Sequence, residues 1–374
     1  MKLNPLEIQI LKVIQKSEGV SRKALAEMTE LSQATVTNIT KILIERSYVV
    51  EGDRVSSGMG RKEVLLYLNP QKFRFLGIDI GGYRIRFALA DNLMKITHER
   101  EYLVDEFDDQ SDILESMLEK IERFLAESQL NPDEIDGIGI GVTGIVDKNM
   151  QRILNIPNLN AWGELDIVSR LSSRFDCPVY LDESGRTMAL AEKIEGKSKD
   201  VEDFIVVHVA YGIVAGMMIN GQLLRGANNV GGLLGHMTAD EDAERCMCGN
   251  YGCLENIVTY PRIESAYKQK GGKFESIVEA YRVNDKIAFD VCIASGKAIG
   301  IALSNVINLF NPQAIYLGGP VFEHLPIIFE ETKRTILLRA NRFAAVDMQL
   351  EHSSFGDKQG MIGALSLVRN SLIS

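Results

Sequence analysis

Three cysteines fall within eight residues, Cys246, Cys248 and Cys253, and His236 stands ten positions before the first of them. One imidazole nitrogen and three thiolates make a closed tetrahedral donor set for zinc, and Gly249 and Gly252 permit the tight turns that convergence needs. With all four positions filled by protein, no site remains for an activated water. One structural zinc per chain is therefore expected, holding a loop; the alternative is a reduced, buried cluster. Cys177 and Cys292 lie in apolar contexts and read as core. Two glycine turns, Gly81-Gly82 and Gly318-Gly319, could bring backbone N–H groups to a phosphate, although a tight hairpin needs glycine as well. A third chemistry lies near the N-terminus, where polar side chains suited to base edges precede a basic pair, Arg61-Lys62.

That N-terminal segment reads as three short helices and a hairpin. Asn4-Pro5-Leu6-Glu7 combines a capping residue, proline at the first helical position and glutamate three residues after the cap, and Leu6, Ile10 and Ile14 recur at helical spacing. Ser21 opens a second helix with Ala24, Leu25 and Met28 on one face. Ser32 opens a third, with Val36, Ile39 and Leu43 as its buried stripe and Gln33, Ala34, Thr37, Asn38 and Lys41 opposite. Strands at 48–50 and 63–68 flank a glycine-containing tip with Arg61 and Lys62, placed for phosphate or minor groove. This is a winged helix-turn-helix over residues 1–72; the alternative is a helical protein-docking module.

Charge supports the division. Residues 1–72 hold 11 Lys+Arg and 8 Asp+Glu, whereas the rest of the chain holds 30 and 43. A weakly basic head on an acidic body suits a DNA-facing module joined to something that does not touch DNA. The 374 residues exceed one ordinary core, and the composition excludes collagen-like, disordered and disulfide-scaffold classes. No apolar run approaches a membrane span, and charges interrupt any signal-like start, so a cytoplasmic protein is expected.

From residue 73 the texture is alternating α/β. Residues 75–82 and 84–90 read as a hairpin, and 113–128 as a helix capped by Ser111. A buried strand over 135–142, a hairpin over 205–219, a helix over 298–309 and a strand over 314–317 follow. Strand and glycine-turn units that occur twice imply two similar lobes around one cleft.

Residues 73–374 resemble the ROK family (repressors, open reading frames and sugar kinases) in Gly77-Ile78-Asp79-Ile80-Gly81-Gly82, Pro157-Asn158-Leu159 with Trp162, the segment from Gly235-His236 to Glu255, and Leu317-Gly318-Gly319. The repressor branch also carries an N-terminal winged helix. The resemblance implies a two-lobed ribonuclease-H-like, actin/hexokinase-type α/β body. Lobe one is expected over 73–185 plus 355–374 and lobe two over 186–354. It further implies a sugar site at Asn158, His236 and Glu255, with His236 using one ring nitrogen on zinc and the other toward a sugar hydroxyl.

The departures are equally informative. The Asn-Asp pair that supplies the kinases' catalytic base falls on Glu183-Ser184, with Asp182 two residues before the serine. Leu233 replaces a sugar-binding glutamate, while Glu183 could return one acceptor. Tyr83 stands where a small hydroxyl residue belongs, and Tyr211 and Val214 crowd the second phosphate turn. The expectation is a non-enzymatic, homodimeric or tetrameric DNA-binding regulator. It would most simply repress carbohydrate-utilisation genes and answer to a sugar or sugar-derivative effector. An ATP-dependent sugar kinase with a regulatory head, and a protein-docking scaffold, are the alternatives.

Overall fold

The computed structural model of the chain describes residues 3–55, 62–107, 112–157, 159 and 162–373. Helix α1 (Pro5–Gln15) starts on the expected capping box: Asn4 Oδ1 accepts from the Leu6 and Glu7 amides, and Glu7 Oε2 accepts from the Asn4 amide. A two-residue strand β1 (Val20–Ser21) leads into α2 (Arg22–Thr29), and Ser21 and Ser32 cap α2 and α3 (Gln33–Glu45). Strands β2 (Val49–Val55) and β3 (Glu63–Leu68) form the antiparallel wing, with β1 on the far side of β3. Ile10, Ile14, Leu25, Val36, Ile39, Leu43 and Leu66 close the small core. Met28 and Leu6 do not join it; α2 buries Leu25, Ala26 and Thr29 instead, and a head this small cannot cover every apolar side chain.

The body begins with β4 (Arg74–Ile80), β5 (Arg84–Asp91) and β6 (Ile96–Leu103), an antiparallel meander. Helix α4 (Ile113–Glu127) follows, capped by Asp112 through the Leu114 and Glu115 amides; the expected cap Ser111 lies outside the described residues. Then come β7 (Gly137–Val142), the small hairpin β8 (Ile145–Val146) and β9 (Ile153–Asn155), α5 (Ile167–Phe175) and β10 (Val179–Glu183). The sheet runs β10-β7-β4-β5-β6, its last two additions parallel.

Helix α6 (Ser184–Ile194) crosses to the second sheet, made of β11 (Phe204–Val209), β12 (Ile213–Ile219) and β13 (Gln222–Leu223). Helices α7 (Glu255–Val258), α8 (Tyr260–Gln269), α9 (Ile277–Arg282) and α10 (Lys286–Phe310) intervene before β14 (Ala314–Gly318). The chain continues through α11 (Pro320–His324), α12 (Pro326–Arg339), α13 (Arg342–Ala345), β15 (Gln349–His352) and α14 (Gln359–Ile373). This sheet runs β13-β12-β11-β14-β15, the same meander-plus-two-parallel pattern as the first.

Helix α10 begins twelve residues earlier than the apolar pattern indicated, because Asp285 caps it through the Ala288 amide. It is also long and apolar enough to cross a membrane, contrary to the reading of the sequence. Here it is a core helix of lobe two, with Val291, Cys292, Leu303 and Ile307 buried.

Each sheet is covered partly by the other's closing helix. Met188 and Ala189 of α6, which leaves β10, pack with Phe204, Val206 and Val214 of the second sheet. Met361, Leu365 and Val368 of α14, which follows β15, pack with Phe75 and Ala88 of the first. The approach of α14 is close enough that a Cβ on Gly139 would lie 1.9 Å from the Ala364 carbonyl oxygen. Gly139→Ala should therefore lower the unfolding free energy by about 3 kcal/mol or more in urea titration, since backbone must move to accept the methyl.

Candidate functional site

The metal-type cluster assembles as its spacing requires. The antiparallel bridges Thr238–Cys253 and Arg245–Tyr251 fold the segment back on itself. Gly252 makes the fold possible: its φ is +61°, and a Cβ there would meet the Asp240 carbonyl. The ligand atoms of His236, Cys246, Cys248 and Cys253 lie within 4.8 Å of one another. Cys248 Sγ and Cys253 Sγ are 3.6 Å apart, and Cys246 Sγ is 3.7 Å from His236 Nδ1. Bonds of about 2.3 Å to sulfur and 2.0 Å to nitrogen in a tetrahedron give separations of that size. Burial and the two neighbouring sulfurs push the Cys253 thiol up to about 12, so three thiolates share this space only with a cation among them. The residues fit a metal ion, and with Nδ1 toward the sulfurs, His236 keeps Nε2 for another partner. Cys177 and Cys292 are buried far along the chain in the two lobe cores.

Of the residues expected at an effector site, Glu183, His236 and Glu255 fall among the described residues. Glu183 ends β10 and caps α6: Oε1 accepts from the Gly185 amide at 2.9 Å and Oε2 from the Arg186 amide at 3.2 Å. Ser184 is buried, and its Oγ lies 3.4 Å from Thr143 Oγ1. Glu255 Oε2 accepts from the Ile213 amide at 3.1 Å. Side chains added at Gly212 and Gly235 would start 3.4 and 3.3 Å from that oxygen, and the one at Gly212 would also touch Thr143. A chain of neighbours thus links Ser184, Thr143, Glu255 and the Gly235-His236 corner. Leu233, in place of the family's glutamate, is exposed. Asn158 and Arg61 lie outside the described residues.

Asp182, two residues before Ser184, has both carboxylate oxygens engaged. It is fully buried, with Arg186 Nε on Oδ1 and Arg225 Nη2 on Oδ2, both at 2.7 Å. Sequence reasoning missed this pairing; Arg186 sits four residues after Asp182, a spacing that could have suggested it. Arg225 also donates to Asn229 Oδ1, while Asn229 Nδ2 donates to the Asp147 carbonyl. The network therefore ties a lobe-two loop to lobe one.

The two altered glycine turns meet. Tyr83, between β4 and β5, stacks on Tyr211, between β11 and β12, with ring centroids 4.4 Å apart and planes 6° from parallel. Beside them lies a cavity of about 600 Å³, lined by both turns. Its arginines are committed to carboxylates. Arg86 Nη2 is 2.6 Å from Asp79 Oδ2, and Arg84 pairs with Glu101 and Asp357.

In the head, Gln33, Ala34, Thr37, Asn38 and Lys41 are exposed along one side of α3, and Lys62 is exposed at the start of β3. These are the positions a groove-binding helix and a wing would present.

The Glu183 carboxyl, at the start of α6, titrates above its ordinary range. Burial pushes it up to about 7 from an ordinary value near 4.5, against Arg186 and the two amides it accepts from. Between those values the folded chain keeps a proton that the unfolded chain has lost, so stability falls as pH rises through the window. Glu183→Gln keeps an acceptor for the cap and has no proton to lose. Its unfolding free energy should gain on the parent's between pH 5 and pH 8 by up to about 3 kcal/mol, measured by urea titration at each pH.

Comparison with known proteins agrees with this geometry. The profile described as ROK family matches residues 75–371, and one described as winged helix-turn-helix DNA-binding matches residues 3–50. The Bacillus subtilis xylose repressor is 30% identical, over 96% of this chain and 93% of its own length. The Escherichia coli DNA-binding transcriptional dual regulator NagC is 29% identical, over 98% of this chain and 92% of its own. A solved ROK family transcriptional regulator, a homolog of the E. coli MLC protein, superposes with a TM-score of 0.83 at 28% identity, covering 98% of this chain and 96% of that one. The chain, with its winged head and two-sheet sugar-kinase-like body, belongs to the ROK family.

Proposed function

We propose that this protein is a transcriptional repressor of carbohydrate-utilisation genes, controlled by a sugar or sugar derivative in the cleft. The observation that carries the reading is the state of the catalytic corner beneath a DNA-binding head. Ser184 occupies the base's place, and the adjacent Asp182 is locked between Arg186 and Arg225. Among the described residues the Ser184 hydroxyl has Thr143 Oγ1 beside it, 3.4 Å away and donating, and no group to take its proton, so in this reading sugar phosphorylation lacks its general base. The stacked tyrosines stand in the nucleotide's way. The cleft keeps the means to bind without the means to transfer, and the chain in this reading is not an enzyme.

The division at residues 72 and 73, with lobes over 73–185 plus 355–374 and over 186–354, follows the two sheets. In the head, Gln33, Ala34, Thr37, Asn38 and Lys41 face bases, with Lys62 and the neighbouring Arg61 on the backbone or in the minor groove. In the cleft, Glu183, His236 and Glu255, with Asn158, are the ligand's polar contacts. One structural zinc per chain fixes His236 Nδ1 and so turns Nε2 toward a sugar hydroxyl. The protein acts in the cytoplasm, where its operator is.

Operator half-sites about one helical turn apart need a two-fold partner. The ends of α10 and α12 and the helix α13 supply a face for one. Leu309, Leu337, Leu338 and Phe343 are all exposed there, and the Asn341 amide donates to Asn308 Oδ1 at 2.7 Å, holding the ends together. A second copy of the chain is the occupant this reading requires. A ligand that prefers one cleft angle would shift the spacing of the paired heads and release the operator.

The experiment is a titration of the full-length protein against DNA from upstream of its own gene, at fixed salt, with a panel of sugars and sugar phosphates. The expected result is a specific complex with two chains per operator, released by one of the ligands. Absence of any specific complex would overturn the reading, as would ATP-dependent phosphorylation of a sugar by the same preparation. Metal analysis should find about one zinc per chain. Cys253→Ser should lose it and destabilise the body by more than about 4 kcal/mol; retention of both metal and stability would mean the cluster holds no ion.

A further inference from the structure

Helix α3 presents a more restricted set of groups than its sequence suggests, because its own backbone consumes part of its polar surface. The Ser32 and Thr35 hydroxyls are engaged at the cap: Ser32 Oγ accepts from the Thr35 amide at 3.1 Å, and the two oxygens are 2.8 Å apart. Thr37 Oγ1 donates to the Gln33 carbonyl at 2.7 Å. That bond turns the hydroxyl back onto the helix and leaves the methyl group as the outward part of an exposed side chain. Next to it stands the Ala34 methyl, also exposed. Gln33 and Asn38 complete the face, and neither side-chain amide has a hydrogen-bond partner among the described residues.

We infer that α3 reads A·T base pairs at the centre of each operator half-site, Gln33 and Asn38 addressing adenine and the Thr37 and Ala34 methyls addressing thymine. The inference rests on the operator-binding role proposed above and specifies its target. In the major groove, adenine offers N7 as acceptor and N6 as donor, which a carboxamide meets with two bonds, and thymine alone carries a C5 methyl for apolar contact. Guanine is met best by arginine, and the arginines near this face are committed elsewhere. Arg22 bonds Thr40 Oγ1 and pairs with Glu51, and Arg46 pairs with Glu7 behind the helix. Lys41 stands two turns beyond Gln33, with its ammonium 3.9 Å from the Glu45 carboxylate.

The test is selection of binding sites from a randomised duplex pool by the full-length protein at fixed salt, followed by titrations with variants. The expected consensus has A·T pairs at the half-site positions that α3 covers. Gln33→Ala and Asn38→Ala should each flatten preference at one such pair, cutting discrimination against G·C there by roughly 5- to 150-fold while leaving non-specific affinity and melting temperature unchanged. Replacing the contacted thymine by deoxyuridine should weaken the parent several-fold and leave Thr37→Ser, which keeps the hydroxyl and lacks the methyl, unaffected. G·C selected at the positions whose preference moves in the two alanine variants would overturn the inference while leaving the operator role standing. So would variants that lose affinity equally on every sequence. A parent protein that selects no sequence would overturn the operator role and this inference together.

Discussion

Each sheet of the body gives its closing helix to the other sheet, and this exchange fixes where everything else sits. Helix α6 grows directly from the end of β10 and lies on β12 and β11, while α14 leaves β15 and lies on β4 and β7. Close packing between helix and sheet leaves no room for sliding: Gly139 faces the Ala364 carbonyl, and a side chain at Gly216 would strike the Gly185 carbonyl. The first turn of α6 is thereby pinned between the lobes, and that turn carries Glu183, Ser184 and Arg186. The buried pairing of Asp182 with Arg186 then has little freedom. Removing one member of such a pair leaves an uncompensated charge that typically costs about 3–5 kcal/mol. The buried Asp182 carboxylate is thus held by the packing that makes the body fold.

The cleft's other rim shows the same economy of charge. In a site built for a nucleotide, arginines and a metal face phosphate oxygens and the turns stay small. Here Arg86 is buried against Asp79, Arg84 is shared by Glu101 and Asp357, and burial lowers the pKa of His208, which faces Gln359. Cations that could attract phosphate are spent on internal carboxylates. The tyrosine stack adds a flat contact between the two turns worth about 1 kcal/mol.

Much of this was legible in the sequence. The capping box at Asn4, the serine caps at 21 and 32, the buried stripe of α3 and the zinc-type spacing are local signals, and local physics sets them. The duplicated strand and glycine-turn pattern announced two similar lobes. What escaped depends on partners distant in the chain. Nothing near Tyr83 says that Tyr211 lies on its face, and nothing near Asp182 names Arg225. Boundaries shifted where polar chemistry overrode apolar spacing, as at Asp285, which starts α10 twelve residues before its hydrophobic run becomes obvious. Met28 went to the surface because helical spacing defines a face without saying that the face is covered.

Strand β5 joins the cleft to the head. Tyr83 precedes it at the cleft mouth and Asn92 follows it at the opposite end, where the Asn92 amide donates to the Pro70 carbonyl and Asn92 Nδ2 to the Asn69 carbonyl. The linker is further held by Phe73, packed between Tyr48 of the head and Phe75 of β4, with Lys72 Nζ 4.6 Å above the Tyr48 ring. An eight-residue strand spans about 27 Å, and β5 is hydrogen-bonded on both sides, between β4 and β6, so it connects those ends as a stiff element. These contacts tie the head to the first sheet rather than to the second. The second sheet carries the metal-type cluster, Glu255 and the exposed apolar face. Under the function proposed above, a ligand bridging Glu183 and His236 would act between that sheet and the one that holds the head, and a change of cleft angle would change the position of the head relative to that face.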